Sequence, residues 1–464
     1  APPRLLVEAR RVTSVPSLVP PSGMLREYVD LYAPTGEAPE EAHLGAAIAL
    51  VSAAVGWRAW IKWAENAEPC TVNVVLEGRS ATARKTTVAN SAHAIARAAM
   101  TSLPDSMQRL RVRHLSHTSQ RGLLEVVAAP DRDTAARWED EPPPGNLLVW
   151  DEFGSVLGRP GDVKGSDWLG QVRTTLMQLT GGRHGGLQLG GEKLPPGRCA
   201  VSILATMTRV ELEQRVSTGL LRDGFLGRFV LVPHNGRRAW LAEPPPWSAD
   251  MVRRKERIIE WLRSLAQLPG AFGHVFDRLT PEARDWRRGW YLDRGKQLEQ
   301  RADDTGSESA LATSEAFGRL QTTALKIALV AAVAEWEPAD DPRSLWIGEE
   351  HVRYGAAFAD YALDEIGKLA YEAGTPEERY AQKVLTWLDG RGQVRTRDLA
   401  QSVRAPGLST TQRRVVIDEL VQNGDVEVAV KRMPSGQEAR VISRAPHREG
   451  VEGVDRCRHE AVYT

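Results

Sequence analysis

The chain has 464 residues, with 60 Lys plus Arg against 60 Asp plus Glu and a formal net charge of +0. That length exceeds what one hydrophobic core normally supports, so two or three domains are expected, and neutrality excludes a uniformly basic surface as the basis of nucleic-acid binding. Three scattered cysteines, Cys70, Cys199 and Cys457, exclude a disulfide or zinc framework. The N-terminus lacks the basic start and apolar core of a secretory signal, and the most apolar helical stretches, 44–57 and 324–334, are shorter than the roughly 20 residues that span a bilayer. A cytoplasmic protein with no membrane segment is the expectation.

Residues 1–40 are Pro-rich and read as an arm, with a short amphipathic stretch at 24–32. Helical recurrence of Ala, Ile, Leu and Val follows over 42–63, and the β-branched run 70–76 then suits a buried parallel strand. A loop and an Ala-rich helix, 86–100, come next, followed by a strand at 110–115, a helix at 119–128, an acidic turn-rich excursion at 130–145 and a strand at 146–150. A helix at 167–179, a Gly-rich stretch at 181–197 and strands at 200–205 and 229–233 complete a pattern in which strands alternate with helices, which predicts a parallel α/β sheet. The Pro-rich segment 243–247 predicts a domain boundary, and 249–374 reads as helical throughout. Helices at 377–388, 396–403 and 409–423, then strands at 426–431 and 438–442, predict a winged helix. The expected organisation is an arm at 1–40, an ATPase core at 41–242, an all-α lid at 243–374, a winged-helix domain at 375–445 and a loose tail at 446–464.

Two motifs carry the chemistry. The segment 78–87, Gly-Arg-Ser-Ala-Thr-Ala-Arg-Lys-Thr-Thr, lies between a strand and a helix, where a phosphate-binding loop would lie. It departs from G-x-x-x-x-G-K-[ST]: Arg84 stands in place of Gly before Lys85, and Gly78 is one residue too far upstream. Gly78, Ser80, Thr82, Ala83, Arg84, Lys85, Thr86 and Thr87 are the candidates for holding ATP, Lys85 through its charge and the others around the anion-attracting start of the helix. The second motif is the pair Asp151 and Glu152 at the end of an apolar strand, where ligands of α/β sheets bind. Asp151 with Thr86 would order Mg²⁺, and Glu152 would act as general base on the attacking water, which favours hydrolysis over phosphotransfer. Thr206 or Thr208, ending the next strand, would reach the γ-phosphate or that water. Arg228, just before the last sheet strand, is placed to serve a neighbouring subunit's nucleotide, with Arg222 as its competitor.

These boxes, together with Thr118-Ser-Gln-Arg-Gly-Leu-Leu124 and Asp223-Gly-Phe-Leu-Gly-Arg-Phe229, resemble phage- and plasmid-encoded P-loop ATPases of the primase-helicase type, a family mostly described as a domain of unknown function. The resemblance covers about residues 14–370. It implies an AAA+-like core, a homo-oligomer such as a hexameric ring, a replication role in a mobile element, a primase as partner, and single- or double-stranded DNA as substrate. Ala81 stands where many relatives have Gly. The ordering also resembles superfamily 3 helicases, which insert a DNA-touching hairpin where this chain has its Gly-rich stretch; Arg183, His184 and Lys193 would then contact phosphates. Arg319, in the lid, would be a second nucleotide sensor. On the winged helix, Arg413 and Arg414 of its third helix and Lys431 and Arg432 of its wing form a candidate phosphate-contacting surface. Two rivals are an ATP-switched DNA-binding regulator or loader that hydrolyses slowly, and a protein-remodelling ATPase whose winged helix docks a protein.

Overall fold

The computed structural model describes residues 18–78, 84–101, 103–104, 108–116, 118–127, 143–157, 166–189, 192–194, 197–216, 220–221, 223–234, 241, 243, 245–268, 270–305, 308–373, 376–388, 391–405, 407–422, 425–432 and 438–445. The chain divides into two compact units, 1–373 and 374–464.

At the centre of the first unit five strands form an all-parallel sheet: β1 (Asn73–Gly78), β2 (Leu110–Leu115), β3 (Gly145–Trp150), β4 (Ala200–Met207) and β5 (Phe229–His234), in the order β5-β1-β4-β3-β2. β1, β3 and β4 are buried along their whole length, which their near-continuous apolar sequences require once helices cover both faces. Alternate residues feed two cores. Val74, Leu76, Leu147, Val149, Leu204, Val230 and Val232 join one hydrophobic cluster, and Val75, Leu148, Trp150, Val201, Ile203, Phe229 and Leu231 join the other. Each such side chain contributes about 1.5–3 kcal/mol by leaving water, so a polar substitution in the middle of any of these strands would lose that and strand a polar group as well.

The helix Glu40–Val55 lies directly on the sheet, and nearly all of its residues are buried; its apolar pattern runs all round because it has no solvent face. The approach leaves no room for a side chain at Gly145, where a Cβ would come within 1.8 Å of the Ala53 carbonyl oxygen. This helix is shorter than its sequence suggests. The helical reading of 42–63 fails after Val55, because Gly56 turns the chain with φ of 49°, and Ala59–Trp63 becomes a strand. That strand pairs antiparallel with Asn66–Pro69 and parallel with Gly273–His274, so the segment 249–374 is not helical throughout either. Trp60 and Ile61 have the β propensity that the preceding alanine-rich helix masks in a sequence window.

The long helices Ala249–Ala266, Pro281–Thr305, Glu308–Glu335 and Glu349–Ala373 belong to the same compact unit as the sheet. Residues from them, such as Leu265 and Leu329 on one side and Leu320 and Leu363 on the other, complete the two cores. Among the described residues one helical segment, Ala310–Glu335, has the length and mean hydropathy (1.2) to cross a membrane, and 83% of its apolar window is buried inside the protein.

The second unit contains the helices Pro376–Leu388, Thr396–Ser402 and Thr410–Gln422 and a three-stranded antiparallel sheet in which Glu438–Arg444 lies between Val394–Arg395 and Val426–Arg432. Val384, Leu388, Leu399, Val416, Leu420, Val426 and Ile442 make its own small core.

Candidate nucleotide site

Parallel strands deliver their C-terminal ends to one edge of the sheet, and at that edge the expected residues Gly78, Arg84, Lys85, Thr86, Asp151, Glu152 and Thr206 meet. The helix Lys85–Thr101 begins two residues before Thr87, and Arg84 stands at its entry: the Arg84 carbonyl accepts from the Val88 N–H at 3.1 Å. The Lys85 ammonium turns back to the end of β1 and donates to the Gly78 carbonyl at 2.6 Å. Burial lowers the Lys85 pKa, while the negative charges of Glu77, Asp151 and Glu211 oppose the shift. The ammonium therefore sits among carboxylates at the N-terminus of a helix, the end at which the helix dipole attracts an anion.

Asp151 continues the β3 ladder by one bond, its N–H donating to the Leu115 carbonyl at 3.0 Å. Its carboxylate is held from two sides. The Thr206 hydroxyl, at the end of the adjacent strand β4, donates to Oδ1 at 2.5 Å, and the Thr86 hydroxyl lies 3.3 Å from the same oxygen and 3.5 Å from Oδ2. The interposed strand β4 thus links the two motifs: Thr206 orients the carboxylate that Thr86 faces. Glu152 follows with a left-handed backbone, φ 53°, and an exposed side chain, and its N–H donates to Asp151 Oδ1 at 3.2 Å. The turn is closed by the Phe153 N–H on the Thr206 carbonyl at 3.0 Å. Hard oxygen donors from one carboxylate and one hydroxyl fit a Mg²⁺ ion, which keeps several waters and shares substrate phosphate. The donor set Thr86 and Asp151 fits that ion.

Other expected residues lie elsewhere. Thr208 is occupied as a helix cap, its hydroxyl accepting from the Glu211 N–H at 3.1 Å. Thr87, by contrast, stays at the Lys85 edge, exposed on the first turn of the same helix as Lys85. Arg228 precedes β5, whose register pairs Phe229 with Asn73 and His234 with Gly78; it therefore stands at the N-terminal edge of the sheet, opposite the Lys85 edge. There it donates to the Gly224 carbonyl at 2.5 Å, and burial and the nearby Arg319 lower its pKa. Asn73 fixes that corner by accepting from the Ile203 N–H at 3.1 Å and donating to the Arg228 carbonyl at 3.2 Å. Arg319 packs beside Arg228, its Cβ 3.6 Å from where a Gly227 side chain would begin, so the helix Glu308–Glu335 presents it to the same N-terminal edge of the sheet. Ser80, Thr82, Ala83 and Arg222 lie outside the described residues.

The Gly-rich stretch forms β structure. Arg183–His184 pairs with Gly197–Arg198, and Leu187–Leu189 pairs with Glu192–Leu194, just before β4 and hence also at the N-terminal edge. Arg183 is exposed, and His184 is buried with its pKa lowered by that burial. Lys193 lies on the second hairpin strand, with its side chain outside the described residues. In the second unit Arg413 is half-buried, Arg414 is exposed 3.9 Å from Asp418, and Lys431 and Arg432 are exposed at the end of their strand, with Arg432 opposite Glu438.

Sequence reasoning missed a buried ion network behind the site. Glu77, fully buried at the end of β1, receives Arg209 Nη1 at 3.1 Å; the same nitrogen reaches Glu365 at 3.2 Å, and Arg209 Nε reaches Glu213 at 2.6 Å. Burial raises the Glu77 pKa, and the Arg209 charge opposes it. The available signal was a glutamate inside an otherwise apolar strand, which demands a partner. No family model matches the chain, and no curated protein matches it.

Proposed function

We propose that the chain is a Mg-ATP-hydrolysing P-loop ATPase with an AAA+-like core, working as a homo-oligomeric ring on DNA in the replication of a mobile element. The observation that carries the reading is the convergence of Lys85, Thr86, Asp151 and Thr206 at the C-terminal edge of a parallel sheet, with Asp151 hydrogen-bonded between strands. In this reading Lys85 leaves the Gly78 carbonyl for the β- and γ-phosphates, Thr86 and Asp151 hold the metal, and Thr206 keeps the Asp151 carboxylate oriented. Mg²⁺ when bound would neutralise phosphate charge. Glu152 accepts the proton of the attacking water as its oxygen bonds to the γ-phosphorus and the bond to the bridging oxygen breaks, releasing ADP.

Arg228 stands at the edge remote from its own Lys85, which supports a role on the nucleotide of an adjoining copy and so an oligomer. The hairpin carrying Arg183 and Lys193 and the basic positions Arg413, Arg414, Lys431 and Arg432 of a winged-helix-like unit support DNA contact. A slow, ATP-switched regulator is the second reading, favoured by the Lys85–Gly78 hydrogen bond, which nucleotide entry must break. ATP hydrolysis measured with and without single-stranded DNA, at low and moderate salt, tests these readings. DNA-stimulated, salt-sensitive turnover is expected. Nucleotide binding with slow turnover that DNA does not stimulate would replace the motor by the switch.

A further inference from the structure

The residue before Lys85 is glycine in the general phosphate-loop pattern and arginine here, and the backbone explains the difference. Arg84 has φ of 48°, in the left-handed region that glycine enters freely and a long side chain enters at a cost. Such a conformation persists in a non-glycine residue when its surroundings hold it. The surroundings are Glu37: Arg84 Nε donates to Glu37 Oε2 at 2.9 Å, and the other carboxylate oxygen accepts the Leu241 N–H at 3.1 Å. The Glu37 side chain is 12% exposed against 51% for Arg84, so the acid is the anchored member and the arginine the held one. Glu37 belongs to the turn between the helices Gly23–Tyr32 and Glu40–Val55, and Leu241 lies beyond β5. One carboxylate therefore ties together three segments distant in sequence, and one of them leads directly into Lys85.

We infer that Glu37 is a positioning residue for the phosphate loop, holding Arg84 in the left-handed conformation that the loop otherwise obtains from glycine. The inference rests on the nucleotide-binding reading of the Lys85 site. Its consequence is specific: the requirement for Glu37 exists because residue 84 is not glycine. With glycine at 84 the backbone needs no clamp, and loss of the Glu37 charge no longer matters.

The test compares four proteins: wild type, Glu37→Gln, Arg84→Gly and the double variant. Glutamine keeps an acceptor for the Leu241 N–H and removes the charge that faces Arg84. Binding of a fluorescent ATP analogue is titrated for each, and thermal unfolding is followed without nucleotide. In the arginine background Glu37→Gln should weaken binding about fivefold, the size expected when a partly buried ion pair is lost. In the Arg84→Gly background the same change should move binding by less than about twofold, and the change in unfolding temperature should vanish in parallel. Equal losses from Glu37→Gln in both backgrounds, or no loss in either, would overturn the inference. If the wild type binds no analogue, the nucleotide reading fails, and the unfolding data still decide whether Glu37 acts through residue 84: additive temperature changes overturn that, and non-additive ones support it.

Discussion

The two edges of the central sheet are built from the same strands and have opposite chemical characters. At the C-terminal edge Lys85 stands among Glu77, Asp151 and Glu211, with two threonine hydroxyls on the Asp151 carboxylate. At the N-terminal edge Arg228 and Arg319 lie side by side, and the Arg183–Arg198 hairpin emerges nearby. The six residues of β1 separate them, roughly 17 Å at the rise of an extended strand, which is beyond the reach of an arginine side chain. The difference teaches that a single chain gathers a lysine, carboxylates and threonine hydroxyls at one edge and paired arginines at the other. A complete ATPase site would need two chains, each offering a different edge.

The largest expected effect breaks the N-terminal edge. Arg228→Ala should lower ATP turnover by about 10³-fold, as for other arginines that stabilise phosphoryl transfer, and leave nucleotide affinity nearly intact. Mixing Arg228→Ala chains with Lys85→Ala chains should restore part of the activity neither has alone, because some interfaces then combine an intact Lys85 with an intact Arg228. No recovery would mean that the two edges do not meet across an interface. At the C-terminal edge, Asp151→Asn should lower turnover by about 10²-fold and weaken the dependence on Mg²⁺ concentration, read from steady-state rates across a magnesium titration.

Behind that edge, Arg209→Ala leaves Glu77 buried without its cation and should destabilise the first unit by about 3–5 kcal/mol in urea unfolding; a loss under about 1 kcal/mol would place the network among ordinary surface pairs. The smallest effect belongs to the hairpin. His184 has a pKa lowered from 6.5 by burial, so its neutral form favours the fold; that contribution is present above pH 6.5 and is lost as pH falls through the lowered folded value. His184→Gln should therefore show a shallower fall in unfolding temperature on acidification than the wild type, and parallel curves would remove His184 as the cause.

The strands were legible because each is a short apolar or β-branched run bounded by turn residues, and Asp151 and Glu152 were legible because they end one. Lys85 and Thr86 stood out because their segment lies between a strand and a helix and an acidic strand end follows it. What escaped the sequence is what connects remote positions. Glu37 lies 47 residues from Arg84, and Arg209 lies 132 from Glu77 and 156 from Glu365, and no local period encodes such pairs. The helix ending at Val55 was overrun because alanine-rich helix and tryptophan-rich strand share one apolar window. The edge at which Arg319 stands was not legible, because helical periodicity shows which face of a helix is apolar and leaves open which end of the sheet that helix crosses.

The central claim is that Lys85 sits in an ATP site, and calorimetric titration of Mg-ATP into the wild type and Lys85→Ala tests it most directly. The account predicts saturable binding by the wild type, one nucleotide per chain, and a loss of affinity of about 10²-fold or more in the variant, the expected consequence of removing a buried charge from a phosphate site. Equal affinity in the two proteins, or no binding by the wild type, would contradict it.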